Sequence, residues 1–291
     1  MLHARSADGV KVWAPAKVNL FLEVLRKRAD GYHEIATLMV AVRLFDTLEF
    51  KEEPSGAIQL ICDQPGLSTG PDNLVCRAAE LLRQSGGGQG ARIVLTKRIP
   101  LAAGLGGGSS DAAATLEGLN RLWRLGHSSA ELADLGAQLG SDVPFFFAAP
   151  AAWCSGRGEI VTPVTLGRRL DFVLACPAAG LSTAAVYGGV PIPEQPLAGA
   201  ELRQAAADGD VAAIGRRLHN RLQPVAERFC PEVAECRALL SGFGPAGALM
   251  SGSGSSVFAL CRDRREAVRI VRGLRGSGPP AFRLFIVRSC V

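Results

Sequence analysis

Residues 100–114 read PLAAGLGGGSSDAAA, and the glycines at 104, 106, 107 and 108 constrain the fold more than any other feature of the chain. Glycine reaches positive φ without steric penalty, so such a run can turn several backbone N–H groups toward one point. Ser109, Ser110 and Asp111 follow, all good helix N-cap residues, and then a leucine-bearing helical pattern that sets the helix start near Asp111. A glycine loop feeding a helix N-terminus is an anion site, and its usual guest is a phosphate. G-x-x-x-x-G-K-[ST] occurs nowhere in the chain, which excludes the commonest nucleotide loop. G-x-G-x-x-G fails as well, because its last place falls on Ser109 or Asp111. A flexible linker is the alternative, but a linker is not expected between a β-type run and a leucine-patterned helix.

A chain of 291 residues, 48% hydrophobic, is long enough for two domains or one large one. No run of about 18 apolar residues is present, and MLHARSADGVKVWAPA lacks a signal-peptide core, so a soluble, cytoplasmic protein without membrane contact is expected. Lys and Arg number 32 against 27 Asp and Glu, a mild excess that helps attract anionic substrates. These charges are not gathered into a basic run, so nucleic acid is not indicated. Cysteines at 62, 76, 154, 176, 230, 236, 261 and 290 include no C-x-x-C, and the histidines are scattered. That is neither a disulfide framework nor a zinc site, and reduced, mostly core cysteines are expected.

From Val12 to Val24 every even position is apolar, the alternation of a strand with one buried face. The other face carries Lys17, Asn19, Phe21 and Glu23, and Pro15 suggests an edge or bulge where the strand begins. Asp30-Gly31 signals a turn before Tyr32 and His33, and strand-like runs follow at 35–50 and 57–62. Asn73 opens a helix over 74–84 that Gly86, Gly87 and Gly88 end, and 91–99 is a strand carrying Lys97 into the loop. Two helical patterns follow the loop, the second stopping at Gly140. Asp142, between that helix and an apolar FFFAA run, is a possible catalytic base or simply a turn residue. Further on, a strand surrounds Trp153, residues 156–159 form a turn, and 169–176 is a strand. Residues 180–196 are loop-like and include Tyr187. Helices are expected at 201–221 and 225–240, then strand, glycine turn and strand over 246–260, a helix at 264–275 and a closing strand at 282–287. The soft boundary lies near residues 160–168.

Three segments, APAKVNLFLEV, P-x-x-x-GLGGGSS and the late glycine turn MSGSG, resemble in order the three motifs of the GHMP kinases, the family named for galactokinase, homoserine kinase, mevalonate kinase and phosphomevalonate kinase. The resemblance implies an α+β, two-lobed fold with a ribosomal-protein-S5-like N-terminal domain, residues 1–162, and an α/β sandwich C-terminal domain, residues 163–291. Within the family, RADGYHEI, PDNLV, GLGGGSSDAA, LGSDVPFF and GRGEIVTPV resemble the members that act on a cytidylated small alcohol. The activity so implied is transfer of phosphate from ATP to the 2-hydroxyl of a diphosphocytidyl-methylerythritol. Rival readings are a homoserine- or mevalonate-type kinase, disfavoured by Gly31-Tyr32-His33, or a silent nucleotide-binding regulator.

By that resemblance Asp142 is the catalytic base and Lys17 its partner. Pro100, Leu101, Ala102, Ala103, Gly104, Leu105, Gly106, Gly107, Gly108, Ser109 and Ser110 cradle the ATP phosphates, with Ser109 or Ser110 touching Mg²⁺. Asn73 and Lys97 lie on the adenosine side, and Ser253 closes over the phosphates. Tyr32 and Tyr187 flank the cytosine, His33 reads its edge, and Asn19 holds the methylerythritol. Phosphoryl transfer needs these parts, a phosphate cradle, a cation and a group to receive or guide the hydroxyl proton. Oligomeric state stays open between monomer and homodimer.

Overall fold

The computed structural model describes residues 2–6, 9–86, 88–148, 150–276 and 282–290. The chain forms two compact units interleaved in sequence. One comprises Met1–Ala16, Leu44–Ile99 and Gly106–Ala148, the other Lys17–Arg43, Pro100–Leu105 and Ala149–Val291.

The first unit is built on β1 (Leu2–Ser6), the start of β2 (Gly9–Lys27), the end of β3 (His33–Glu53), β4 (Ile58–Cys62) and, after the helix α1 (Leu74–Gly86), β5 (Gly90–Thr96). β5 lies between β3, antiparallel, and β4, parallel. The helix α2 (Gly107–Leu122) runs through this unit with residues 110–116 all buried. Its alanines and Gly118 allow that depth, since a Cβ at 118 would stand 2.3 Å from the ring of Phe50. The helix α3 (Ser129–Ala137) and a 3₁₀ turn over Pro144–Phe147 complete the unit.

The second unit holds the rest of β2 and β3, with β6 (Ala151–Ser155) paired to β3 and β7 (Ile160–Pro163) paired to β6. It also holds β8 (Asp171–Pro177), α4 (Thr183–Gly188), α5 (Ala200–Asp208), α6 (Val211–Arg216) and β9 (His219–Asn220), which pairs with β2. Then come α7 (Gln223–Phe229), α8 (Pro231–Ser241), β10 (Gly247–Met250), β11 (Val257–Cys261), α9 (Arg264–Gly276) and β12 (Phe282–Arg288). Strands in the order β10-β11-β8-β12 form an antiparallel sheet whose apolar face packs on Val225, Val233, Leu240, Ile270 and Val271.

Several expectations change. Lys17, Asn19, Phe21 and Glu23 are as buried as the apolar face of β2, so the strand is covered on both sides, and it runs on through Pro15. α2 starts at Gly107 rather than near Asp111, which puts Ser109, Ser110 and Asp111 inside its first turns. The 180–196 segment contains α4. The helix expected over 201–221 breaks at the left-handed Gly209 and ends at Arg216, and the one over 225–240 breaks at Cys230, before Pro231. Gly86 belongs to α1, and Gly87 lies outside the described residues.

Candidate active site

In the first unit the glycine loop becomes a helix without a side-chain cap. Gly106 is the N-cap in the left-handed conformation, and it offers no side chain to the first helical N–H groups of α2. An uncapped N-terminus leaves those donors and the positive end of the helix dipole for an anion. Ser109 is half-buried, while the hydroxyl of Ser110 is buried with no hydrogen-bond partner among the described residues. Asp142 sits in the turn closed by Val143 N–H to Gly140 C=O at 3.2 Å. This turn lies beside the loop, because a Cβ on Gly140 would be 3.9 Å from Ser109 Oγ. Buried Val143, Phe145 and Phe146 anchor it.

Lys97 and Asn73 occupy less open positions than the sequence suggests. Asn73 Oδ1 accepts from the N–H of Val75 at 2.9 Å and its amide donates to Ser68 C=O, so it caps α1. The Lys97 side chain is only 3% exposed, with Nζ 2.5 Å from Asp46 Oδ2 and 2.7 Å from Asp111 Oδ2. Burial works to lower the lysine pKa, but the two carboxylates more than offset it and raise it. Burial pushes the Asp111 carboxyl up to about 8, with Lys97 opposing and the charge of Asp46 assisting. Sequence reasoning missed Asp46. Its signal was present: the even positions Leu44, Asp46, Leu48 and Phe50 form the buried face of β3, and a carboxylate on such a face requires a partner.

In the second unit, residues 102–105 are laced to two other segments. Ala103 C=O accepts from Ser256 N–H at 3.1 Å, Gly104 C=O from Ser251 Oγ at 3.0 Å, and Leu105 C=O from Lys17 N–H at 2.9 Å. Gly104 must be glycine: φ is +72° and a Cβ would lie 2.1 Å from Ser251 C=O. Ser253 Oγ is 2.9 Å from Thr183 Oγ1. The structure thus brings together Lys17, the early part of the loop and the late glycine turn.

Lys17 Nζ donates to Asn19 Oδ1 at 2.7 Å, and Asn19 Nδ2 donates to Thr37 Oγ1 at 2.8 Å. Thr37 in turn donates to Phe21 C=O, so β2 and β3 fix the asparagine that aims the lysine. A Cβ on Gly252 would come within 3.0 Å of Lys17 Nζ, which places that ammonium against the glycine turn. Asn220, also missed, donates to both Met250 and Gly252 C=O and so supports that turn. The His33 and Tyr187 rings lie side by side, tilted 32° to one another with centroids 5.4 Å apart, the tyrosine delivered by α4. Partial burial, with the charge of Lys27, lowers the His33 pKa and favours a neutral ring. Tyr32 is 53% exposed, and its ring lies under the Arg157 guanidinium at 4.7 Å rather than in that pair.

A family model of the GHMP kinases N-terminal domain matches residues 73–149, and one of the GHMP kinases C-terminal region matches residues 202–279. A 4-diphosphocytidyl-2-C-methyl-D-erythritol kinase of Shouchella clausii is 44% identical over 278 residues, covering 95% of this chain and 94% of that protein. Its namesake in Pelotomaculum thermopropionicum is 46% identical over 266 residues, 90% and 92% of the two chains. Among solved structures, a crystal structure of 4-(cytidine 5'-diphospho)-2C-methyl-D-erythritol kinase superposes with a TM-score of 0.79 at 36% identity, covering 96% and 98%. Homoserine kinase from Cytophaga hutchinsonii, at 20% identity and a TM-score of 0.75 over 100% and 98%, shares the fold.

Proposed function

This chain belongs to the GHMP kinase family, and we propose that it transfers the terminal phosphate of ATP to the 2-hydroxyl of 4-diphosphocytidyl-2-C-methyl-D-erythritol, in isoprenoid precursor biosynthesis. The observation that carries this reading is the likeness, 44% identical over 95% of the chain, to a relative of that name. The adjacent His33 and Tyr187 rings favour the same substrate, since a flat, uncharged cytosine suits an aromatic face with a directed donor and acceptor beside it. Tyr32 would supply a second face, and Asn19 would hold the methylerythritol.

In the proposed step the 2-hydroxyl oxygen attacks the γ-phosphorus, the bond to the ADP oxygen breaks, and the hydroxyl proton passes to Asp142. Lys17 lowers the hydroxyl pKa and holds charge. Residues Pro100–Ser110 cradle the phosphates through backbone N–H groups, Ser253 closes over them, and Asn73 and Lys97 serve the nucleotide side. Among the described residues no cluster of three His, Cys, Asp or Glu could hold a metal ion. The unpartnered Ser110 hydroxyl, or that of Ser109, suits an ion held mainly by phosphates, as Mg²⁺ usually is. Bound there, Mg²⁺ would neutralise phosphate charge.

The functional domains are read as 1–162 and 163–291, with the family-model matches 73–149 and 202–279 one in each, although the compact units interleave differently, Ala149–Val291 lying wholly in one of them. Among the described residues no helix is long and apolar enough to cross a membrane. Among the described residues the cysteines form no disulfide with one another, which fits a reducing cytoplasm. A monomer or homodimer acting on a small molecule, without nucleic acid, fits the dispersed charge.

Coupled ADP release with Mg²⁺-ATP tests the reading, comparing the cytidylated alcohol with homoserine, mevalonate and free methylerythritol. Turnover of the cytidylated alcohol alone is expected, and turnover of another alcohol instead would overturn the substrate. In the same assay Asp142→Ala should lose about 10²–10⁴-fold or more of the rate while nucleotide affinity is kept. Equal weakening of both would remove Asp142 from the chemistry.

A further inference from the structure

We propose that Asp46 is a positioning residue for the phosphate loop, joined through Lys97 to Asp111 so that the strand entering the loop and the helix leaving it are held to one another. The proposal rests on the reading of residues 100–110 as the ATP phosphate cradle. Asp46 Oδ1 accepts from the backbone N–H groups of Arg98 at 2.5 Å and Ile99 at 2.9 Å, immediately before the loop. Its Oδ2 accepts from Lys97 Nζ, and the same ammonium reaches Asp111 Oδ2, one turn into α2. The chain is therefore tied on both sides of the loop by a single connected set of charges. Gly107, the first helical residue, lies directly over it: a Cβ there would stand 3.3 Å from Lys97 Nζ and 3.0 Å from Ile99 Cγ2.

The side chains of Asp46, Lys97 and Asp111 are 0%, 3% and 4% exposed. Lys97 has its ammonium committed to two carboxylates, so it acts on the nucleotide through them. Burying two carboxyl groups against one ammonium is a poor way to gain stability, because apolar side chains of similar volume would often do as well or better. What the charges supply is direction. Charge-assisted hydrogen bonds fix where Arg98, Ile99 and Asp111 stand, and with them where the first N–H groups of α2 point. Misplacing those donors by a fraction of an ångström would weaken phosphate binding while leaving the alcohol side of the reaction untouched.

The test is a double-mutant cycle on Asp46→Asn and Lys97→Met, read as calorimetric affinity for a non-hydrolysable ATP analogue with Mg²⁺ and as KM for each substrate. Asp46→Asn keeps an oxygen for the two backbone N–H groups but loses the charge that holds Lys97. It should weaken the analogue about tenfold and leave KM for the alcohol within about twofold. Lys97→Met should weaken the analogue at least as much, and the double variant no more than Lys97→Met alone. Additive losses would mean that Lys97 meets the nucleotide by itself, and would overturn the proposal. Unchanged analogue affinity in Asp46→Asn, with only a lowered melting temperature, would overturn it too. If Lys97→Met does not fold, Asp111→Asn replaces it in the cycle with the same expectations. A wild-type protein that binds the analogue but ignores the cytidylated alcohol would sink the reaction reading alone, since the cycle is still read from nucleotide affinity.

Discussion

The two units solve the same problem, a buried carboxylate on a long strand, with opposite charge balance. In the first, Asp46 on β3 and Asp111 on α2 share one ammonium from Lys97, so acid exceeds base. In the second, Glu23 on β2 is fully buried and surrounded by donors. Arg221 binds it through Nε and Nη2 at 2.7 and 2.8 Å, His219 Nε2 lies 3.2 Å away, and the N–H groups of Val24 and Leu197 complete the shell. Burial pulls the Glu23 pKa up, but Arg221, His219 and the two N–H groups win and hold it well below the usual carboxylate range. At Asp111 burial wins, because Lys97 is shared and Asp46 repels. Counting donors per carboxylate decides the sign of the shift; depth alone does not.

The comparison breaks most visibly where the cation is shared. Lys97→Met leaves the buried Asp46 carboxylate with no cation and Asp111 without its lysine partner, and should cost about 3–5 kcal/mol of stability in urea titrations at neutral pH. Arg221→Met leaves Glu23 with His219 and two backbone donors, so the loss should be smaller, about 1–3 kcal/mol. Equal losses would mean that the surviving donors around Glu23 count for nothing and that the difference in balance has no energetic content.

Much of this arrangement was legible in the sequence, for reasons that also mark where legibility ended. The loop could be read because glycine is demanded by backbone geometry, as at Gly104, where no side chain fits. Lys17 and Asn19 stood out as polar residues two apart on one strand face, and they do share a hydrogen bond. The start of α2 was misjudged because Ser109, Ser110 and Asp111 are good N-caps by type, whereas the actual cap is a left-handed glycine with no side chain. Tyr187 was read as part of a loop because a helix as short as α4 leaves little periodicity to detect. Asp46 was missed because its partners Lys97, Arg98 and Ile99 lie 51 to 53 residues away, a pairing no local pattern encodes.

The finest distinction between the two clusters is in pH. Glu23, whose folded pKa is depressed from an ordinary 4.5, contributes stability that is complete above about pH 4.5 and is lost as pH falls through the folded value. The deficit of Arg221→Met should therefore be constant above pH 5 and shrink below it. Asp111 has the reverse sign: its raised folded pKa favours the protonated form, so its ionisation draws stability down as pH climbs from 3.8 toward about 8. Asp111→Asn removes that titration, and its stability relative to wild type should improve with rising pH, with a slope no steeper than about 1.4 kcal/mol per unit. Urea titrations of both variants and wild type from about pH 2.5 to pH 8 read the two slopes. Opposite responses would confirm that one cluster is short of cations and the other rich in donors, while parallel responses would remove the distinction.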